Sequence, residues 1–184
     1  MNLYVKGKIL KSDIRAIAVV GSRNMTPRGE ALTKKFVKEF TKKGYTIVSG
    51  LARGIDTVAH KSALKEGGRT IAVLGSGLDI IYPSENKALS EEIIKNGALV
   101  SPYPNGTKPY PKNFLARNRI VVELSKAVLI IEGKRRSGTL STASWAANAG
   151  VDVFAIAGSE ATDFLIGEGA ILATKPSDVL DTMV

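Results

Sequence analysis

The stretch AVLIIEGKRRSGTLSTASWAANAG, Ala127–Gly150, decides how this chain folds. Its first five residues form a continuous apolar run, the pattern of a strand covered on both faces. Three bases follow, Lys134, Arg135 and Arg136, and then Ser137-Gly138-Thr139 opens a segment that reads as a helix over 138–149. A helix start presents backbone N–H groups that have no partner within the helix. Strand, short basic loop, small hydroxyl residues and helix are how a parallel sheet builds an anion site.

Outward from that unit the same alternation repeats. IAVVGS (17–22), YTIVSG (45–50), TIAVLGSG (70–77), ALVS (98–101) and VDVFAIAG (151–158) read as strands. Between them lie helices over 27–43, 54–67, 84–95 and 113–125. The first carries Leu32, Phe36, Val37 and Phe40 at helical spacing and is closed by Gly44. Apolar strands alternating with helices predict an α/β fold: three layers, an extended Rossmann-like arrangement around a mostly parallel sheet. One domain over 1–184 is expected, with LYVKGKI alternating as a strand in a peripheral segment 1–14. Residues 160–184 read as an irregular extension with short helical pieces around Ile171-Leu172.

Composition narrows the function. Lys and Arg total 26 against 17 Asp and Glu, giving +9 and a pI near 9.8, a balance that suits polyanions. There is no cysteine, which removes disulfides, thiolate metal sites and cysteine nucleophiles together. No apolar run is long enough for a bilayer, and the opening MNLYVKGKILKSD has no apolar block of a signal peptide, so a cytoplasmic protein without membrane association is expected. His60 is the only histidine and reads as a packed residue; no metal constellation and no cofactor are expected.

In a parallel sheet the strand-to-helix loops share the carboxyl edge, where ligands bind. This places Arg23, Arg53, Lys134, Arg135 and Arg136 on one side, with glycines Gly21, Gly50, Gly54, Gly75, Gly77 and Gly138. Gly21-Ser22-Arg23 offers amides, a hydroxyl and a guanidinium to a phosphate. FLARNRI, Phe114–Ile120, sets an aromatic beside Arg117, Asn118 and Arg119, a pairing that suits a strand of nucleotides; Tyr103 is a further candidate for stacking. GSGLD (75–79) lacks the third glycine of a dinucleotide fingerprint, and no GxxxxGK[ST] exists.

Seven pieces in order, LYVKG, VVGSR, SGLARGIDTVAHKSAL, GGRTIAVLGSGLDIIYPSEN, GALVSPYPNGTKP, FLARNRIVVELS and SGTLSTASWAANAG, resemble the DprA/Smf family of DNA-processing proteins. The resemblance runs from about Leu3 to Ile156. It implies single-stranded DNA as ligand, protection of that strand, its handover to the RecA-type recombinase during transformation or recombination, and a homodimer, with no catalytic residue. By family motif it assigns strand binding to Gly21, Ser22, Arg23, Arg53, Phe114, Arg117, Asn118, Arg119, Ser137, Gly138 and Thr139. The basic run Lys134–Arg136 joins them by its position. The small helical domain and the winged helix that often flank this domain in the family are not read in these 184 residues, and AGSEATDFLIGEGA departs from the family's usual pattern. The nucleoside-monophosphate phosphoribohydrolases of the LOG type are similar in fold. Their PGGxGTxxE motif, aligned on Gly138-Thr139, meets Thr142 in place of the glutamate; Glu132, Asp56 and Asp79 are carboxylates that could substitute, though no pair is marked, and a LOG-like nucleotide-binding protein or phosphoribohydrolase is the alternative reading.

Overall fold

The structure, a computed structural model, describes residues 2–135 and 137–183. One eight-stranded sheet runs through the molecule in the order β1-β5-β4-β3-β2-β6-β7-β8. Its centre is β2 (Ala16–Val20), β3 (Thr46–Ser49), β4 (Thr70–Val73), β5 (Gly97–Ser101), β6 (Ala127–Ile130) and β7 (Asp152–Ala155), all parallel. β1 (Tyr4–Gly7) closes one edge antiparallel to β5. The two-residue β8 (Ile171–Leu172) closes the other, parallel to β7.

Three-layer packing follows from strands that are apolar on both faces. α1 (Pro27–Lys42), α2 (Ile55–Lys65), α3 (Lys87–Asn96) and α7 (Pro176–Leu180) cover one face. There Phe36, Phe40 and Ile55 pack on Ile17, Val19, Ile47 and Leu129. α4 (Pro111–Glu123) and α5 (Gly138–Asn148) cover the other, where Ile120, Val121 and Ala146 meet Ala18, Val48 and Val128. Residue alternation in each strand thus feeds the packing on both faces of the sheet.

The helix expected over 84–95 begins instead as a short 3-10 turn at Ser84–Asn86, and α3 proper starts at Lys87. Asn86 is held inward by its Nδ2, which donates to the Leu51 carbonyl at 3.0 Å and to Thr57 at 2.8 Å. The segment read as an irregular extension, 160–184, is more ordered than expected: α6 (Glu160–Gly167), β8 and α7 enlarge the sheet and its cover. A capping box at Ser159 and Thr162 starts α6, and the Thr174 hydroxyl and backbone amide both donate to Asp178 at 2.8 Å before α7. Among the described residues no helix is long and apolar enough to cross a membrane.

Candidate nucleic-acid interface

Sheet order creates the site. From β2 the chain winds toward β3, β4 and β5 on one side, while β6 lies on the other, so β2 is the point where the winding reverses. Loops leaving β2 and β6 diverge there and open a crevice at the carboxyl edge. A cleft of about 570 Å³ occupies that position. It is lined by Gly21, Ser22 and Arg23 after β2, by Lys134 and Ser137 after β6, and by Gly138, Thr139 and Thr142 on α5. Phe114, Arg117 and Asn118 on α4 form a third wall.

Capping interactions hold these loops in register. Thr26, the residue before α1, donates from its amide and its hydroxyl to the two carboxylate oxygens of buried Glu132, each at 2.7 Å. Its hydroxyl oxygen in turn accepts from the Gly29 amide at 3.0 Å. Ser22 N–H donates to the Glu132 carbonyl at 2.9 Å, and Ile55 N–H donates to the Ser22 carbonyl at 3.1 Å. Gly54 makes the last contact feasible: its φ is +73°, and a Cβ there would lie 2.2 Å from the Ser22 carbonyl oxygen.

Arg117 lies deeper than the sequence suggests. It is 3% exposed, donates from Nη1 to the Val73 carbonyl, and leaves its Nε without a partner. Burial lowers its pKa to about 10, opposed by the nearby Asp56 carboxylate, so it stays cationic at neutral pH. Burial raises the Asp56 pKa, opposed first by Arg117 and then by the Ala52 and Gly50 amides. Asp56 is fixed by the Gly50 amide at 3.0 Å. Arg117, expected among the strand-binding residues, lines the cleft as its buried, charged floor. The spacing Asn113, Arg117, Ile120, Val121 places it on the inward stripe of α4, the signal by which its burial was legible.

Phe114 sits between two guanidinium groups, Arg23 at 5.4 Å and Arg117 at 5.9 Å from its ring centre. Tyr82 adds a second ring 5.5 Å away, tilted by 40°. Tyr82, not Tyr103, is thus the tyrosine at the cleft; Tyr103 does not line it. The sequence reading missed Tyr82, Asn24 and Thr142 as lining residues. Tyr82 was legible as an aromatic in a turn after a strand, Thr142 as the residue one turn beyond Gly138.

The other bases diverge. Arg53 borders a small adjoining pocket with Arg23 and Tyr82, and is forked onto Glu85 at 2.5 and 3.0 Å. Arg119 lies off the cleft, paired with Glu123 at 2.6 Å and placed over Trp145. Arg135 packs over Phe164, away from the cleft lining. Of the five loop bases expected on one side, Arg23 and Lys134 line the cleft, Arg53 and Arg135 are turned to these glutamate and aromatic partners, and Arg136 lies outside the described residues. Ser137 stands at the N-cap of α5, but its hydroxyl donates to the Lys134 carbonyl at 2.7 Å rather than capping the helix. The GSG run serves packing: a Cβ at Gly75 would lie 2.7 Å from Phe114. Among the described residues no group of acidic or histidine side chains is arranged to hold a metal.

The sequence model of the family described as DNA recombination-mediator protein A matches residues 1–184. The chain belongs to this family. It is 44% identical to Protein Smf of Escherichia coli over 98% of its own length and 50% of that protein's. The crystal structure of DNA processing protein A (DprA) from Streptococcus pneumoniae superposes with a TM-score of 0.92 at 43% identity, over 97% of this chain and 65% of that one. DNA processing protein A of Helicobacter pylori, whose structure is described as showing a single-stranded DNA binding mode, superposes with a TM-score of 0.89 at 32% identity, over 98% and 86% of the chains. The chain spans about half the length of the curated DprA/Smf relatives it matches, 40% of one from Synechocystis and 50% of the E. coli protein. The shared DprA/Smf fold is an α/β domain with a mostly parallel sheet.

Proposed function

We propose that the cleft binds single-stranded DNA, and that the protein holds and protects such strands for delivery to a RecA-type recombinase, acting as a homodimer and without catalysis. The observation that carries this reading is the exposed Arg23, set against the Phe114 and Tyr82 rings across from Lys134 and the start of α5. A cation beside stacked rings suits a phosphate and its base at once. Ser22, Thr139 and Asn118 add neutral donors along the same walls. These contacts address phosphate and ring faces, so sequence preference is low. A hydrolase reading lacks support, because each candidate carboxylate is engaged: Glu132 by Thr26, Asp56 by Gly50, and Asp79 by the Gly106 amide at 2.9 Å.

The test is fluorescence anisotropy of a labelled oligo-dT strand titrated with salt, with duplex DNA and AMP as competitors. Salt-steep binding that neither competitor displaces is expected. In Arg23→Ala the affinity falls for every sequence alike, and the salt slope flattens by about 0.7. Displacement by AMP at strand-equivalent concentration would overturn the reading in favour of a nucleotide site.

A further inference from the structure

The exposed surface of α1 carries an excess of positive charge. Its 16 residues, PRGEALTKKFVKEFTK, hold five bases and two glutamates. Gly29, Thr33, Phe36, Val37 and Phe40 turn inward. At about 100° per residue, Arg28, Lys34, Lys35, Lys38 and Lys42 share an outer arc of roughly 120° with Ala31 alone among them. Glu30 and Glu39 stand on its two flanks, half-buried, and pair with Lys34 and with Lys42 at 3.1 Å. Lys35 and Lys38 have no carboxylate within ion-pair distance among the described residues. Surfaces built only for solubility intersperse both signs; this arc does not.

Its position joins it to the cleft. α1 starts four residues after Arg23, and Arg28 at its first turn donates to the Ala157 carbonyl at 2.9 Å on the carboxyl edge. From Arg28 to Lys42 the bases descend the helix for about 21 Å toward the opposite edge of the sheet. The arc has no aromatic or large apolar anchor of the kind that a protein interface centres on. Lysines on a rigid rod, leading from a phosphate-binding mouth, suit a flexible polyanion whose bases are left unread.

We propose that the outer face of α1 is a second contact surface for single-stranded DNA, guiding the strand away from the cleft by its phosphates. This rests on the cleft being a strand site. The test uses the full chain carrying Lys35→Gln and Lys38→Gln, two exposed positions where glutamine keeps helix propensity. Binding is measured for a strand of about six nucleotides, short enough for the cleft, and for one several times longer. The expected result is unchanged affinity for the short strand, weaker binding of the long one, and a long-strand salt slope flatter by about 1.4. A second variant, Lys95→Gln with Lys126→Gln, removes the same charge from exposed positions off α1 and should leave both strands unaffected. An unchanged long-strand slope in the α1 variant, or an equal loss in the Lys95/Lys126 variant, overturns the α1 surface and leaves the cleft reading standing. Failure of the unaltered chain to bind either strand overturns both.

Discussion

At the scale of single residues, the cleft floor is a buried charge cluster supported by its neighbours. Arg117 reaches the Val73 carbonyl because Gly50 has no side chain; a Cβ there would lie 1.9 Å from Nη1. Gly50→Ala is expected to destabilise the protein by about 1–3 kcal/mol, read as a lower urea midpoint. FLARNRI sets the Arg117 guanidinium beside an aromatic, the arrangement a nucleotide strand would use. The burial of Arg117 follows from the spacing Asn113, Arg117, Ile120, Val121, which turns that face of α4 to the sheet. His60 lies in the same interior, its Nδ1 2.7 Å from the Thr70 hydroxyl, and burial lowers its pKa from 6.5 to about 3. The unfolded chain therefore takes up a proton near pH 6.5 that the folded chain refuses until about pH 3. Stability from His60 is fully present above pH 6.5 and is lost as pH falls through that window. Asp56 acts with the opposite sign, since its raised pKa lets the folded chain take a proton first on acidification. The two are separated by comparing the parent with His60→Gln between pH 6 and 4.5. The parent should lose stability more steeply, by about 1.4 kcal/mol per pH unit; parallel profiles would mean that His60 is not buried neutral.

At the scale of elements, the carboxyl-edge loops are positioned by caps more than by their own sequences. Glu132 opens the loop after β6 and holds the α1 cap residue Thr26, tying the two walls of the crevice together. The strands and helices were legible because apolar periodicity is a local signal. The pairing of Thr26 with Glu132 was not, because the two lie 106 residues apart. Gly29 shows the consequence. Alanine in a helix is ordinarily worth up to about 1 kcal/mol over glycine. A Cβ at Gly29, however, would lie 2.5–2.6 Å from the Glu132 carboxyl group. Gly29→Ala is thus expected to lower the melting temperature despite its better propensity, and to weaken strand binding by shifting the Arg23 loop. A raised melting temperature would show that Glu132 does not need this space. The pairing of Arg53 with Glu85 has the reverse effect on the ligand: a phosphate must displace that carboxylate to reach the guanidinium. Glu85→Gln should therefore tighten strand binding about two- to fivefold, the range of an exposed ion pair; unaltered affinity would take Arg53 out of the interface.

For the whole molecule, the net charge of +9 opposes folding and favours the ligand, so salt acts in opposite directions on the free and bound protein. The total charge was plain in the sequence, whereas its division was not: Arg53, Arg119 and Arg135 are each engaged by a glutamate or a ring, and these partners come from other turns or other elements. In the free protein, raising ionic strength from 50 to 200 mM screens self-repulsion and should raise the melting temperature slightly. With a strand in excess, the same change weakens binding. If three cations, Arg23, Lys134 and Arg53, neutralise phosphates, a slope of about 0.7 per contact predicts a loss of roughly 20-fold in affinity. Through linkage this removes about 1.7 kcal/mol of ligand-derived stability, so the melting temperature of the complex should fall while that of the free protein rises. Duplex or neutral-backbone analogues at the same concentration should reproduce the free-protein trend. Melting temperatures that rise with salt in both states would mean that the strand is held by ring contacts alone, and would remove the loop cations from the binding mechanism.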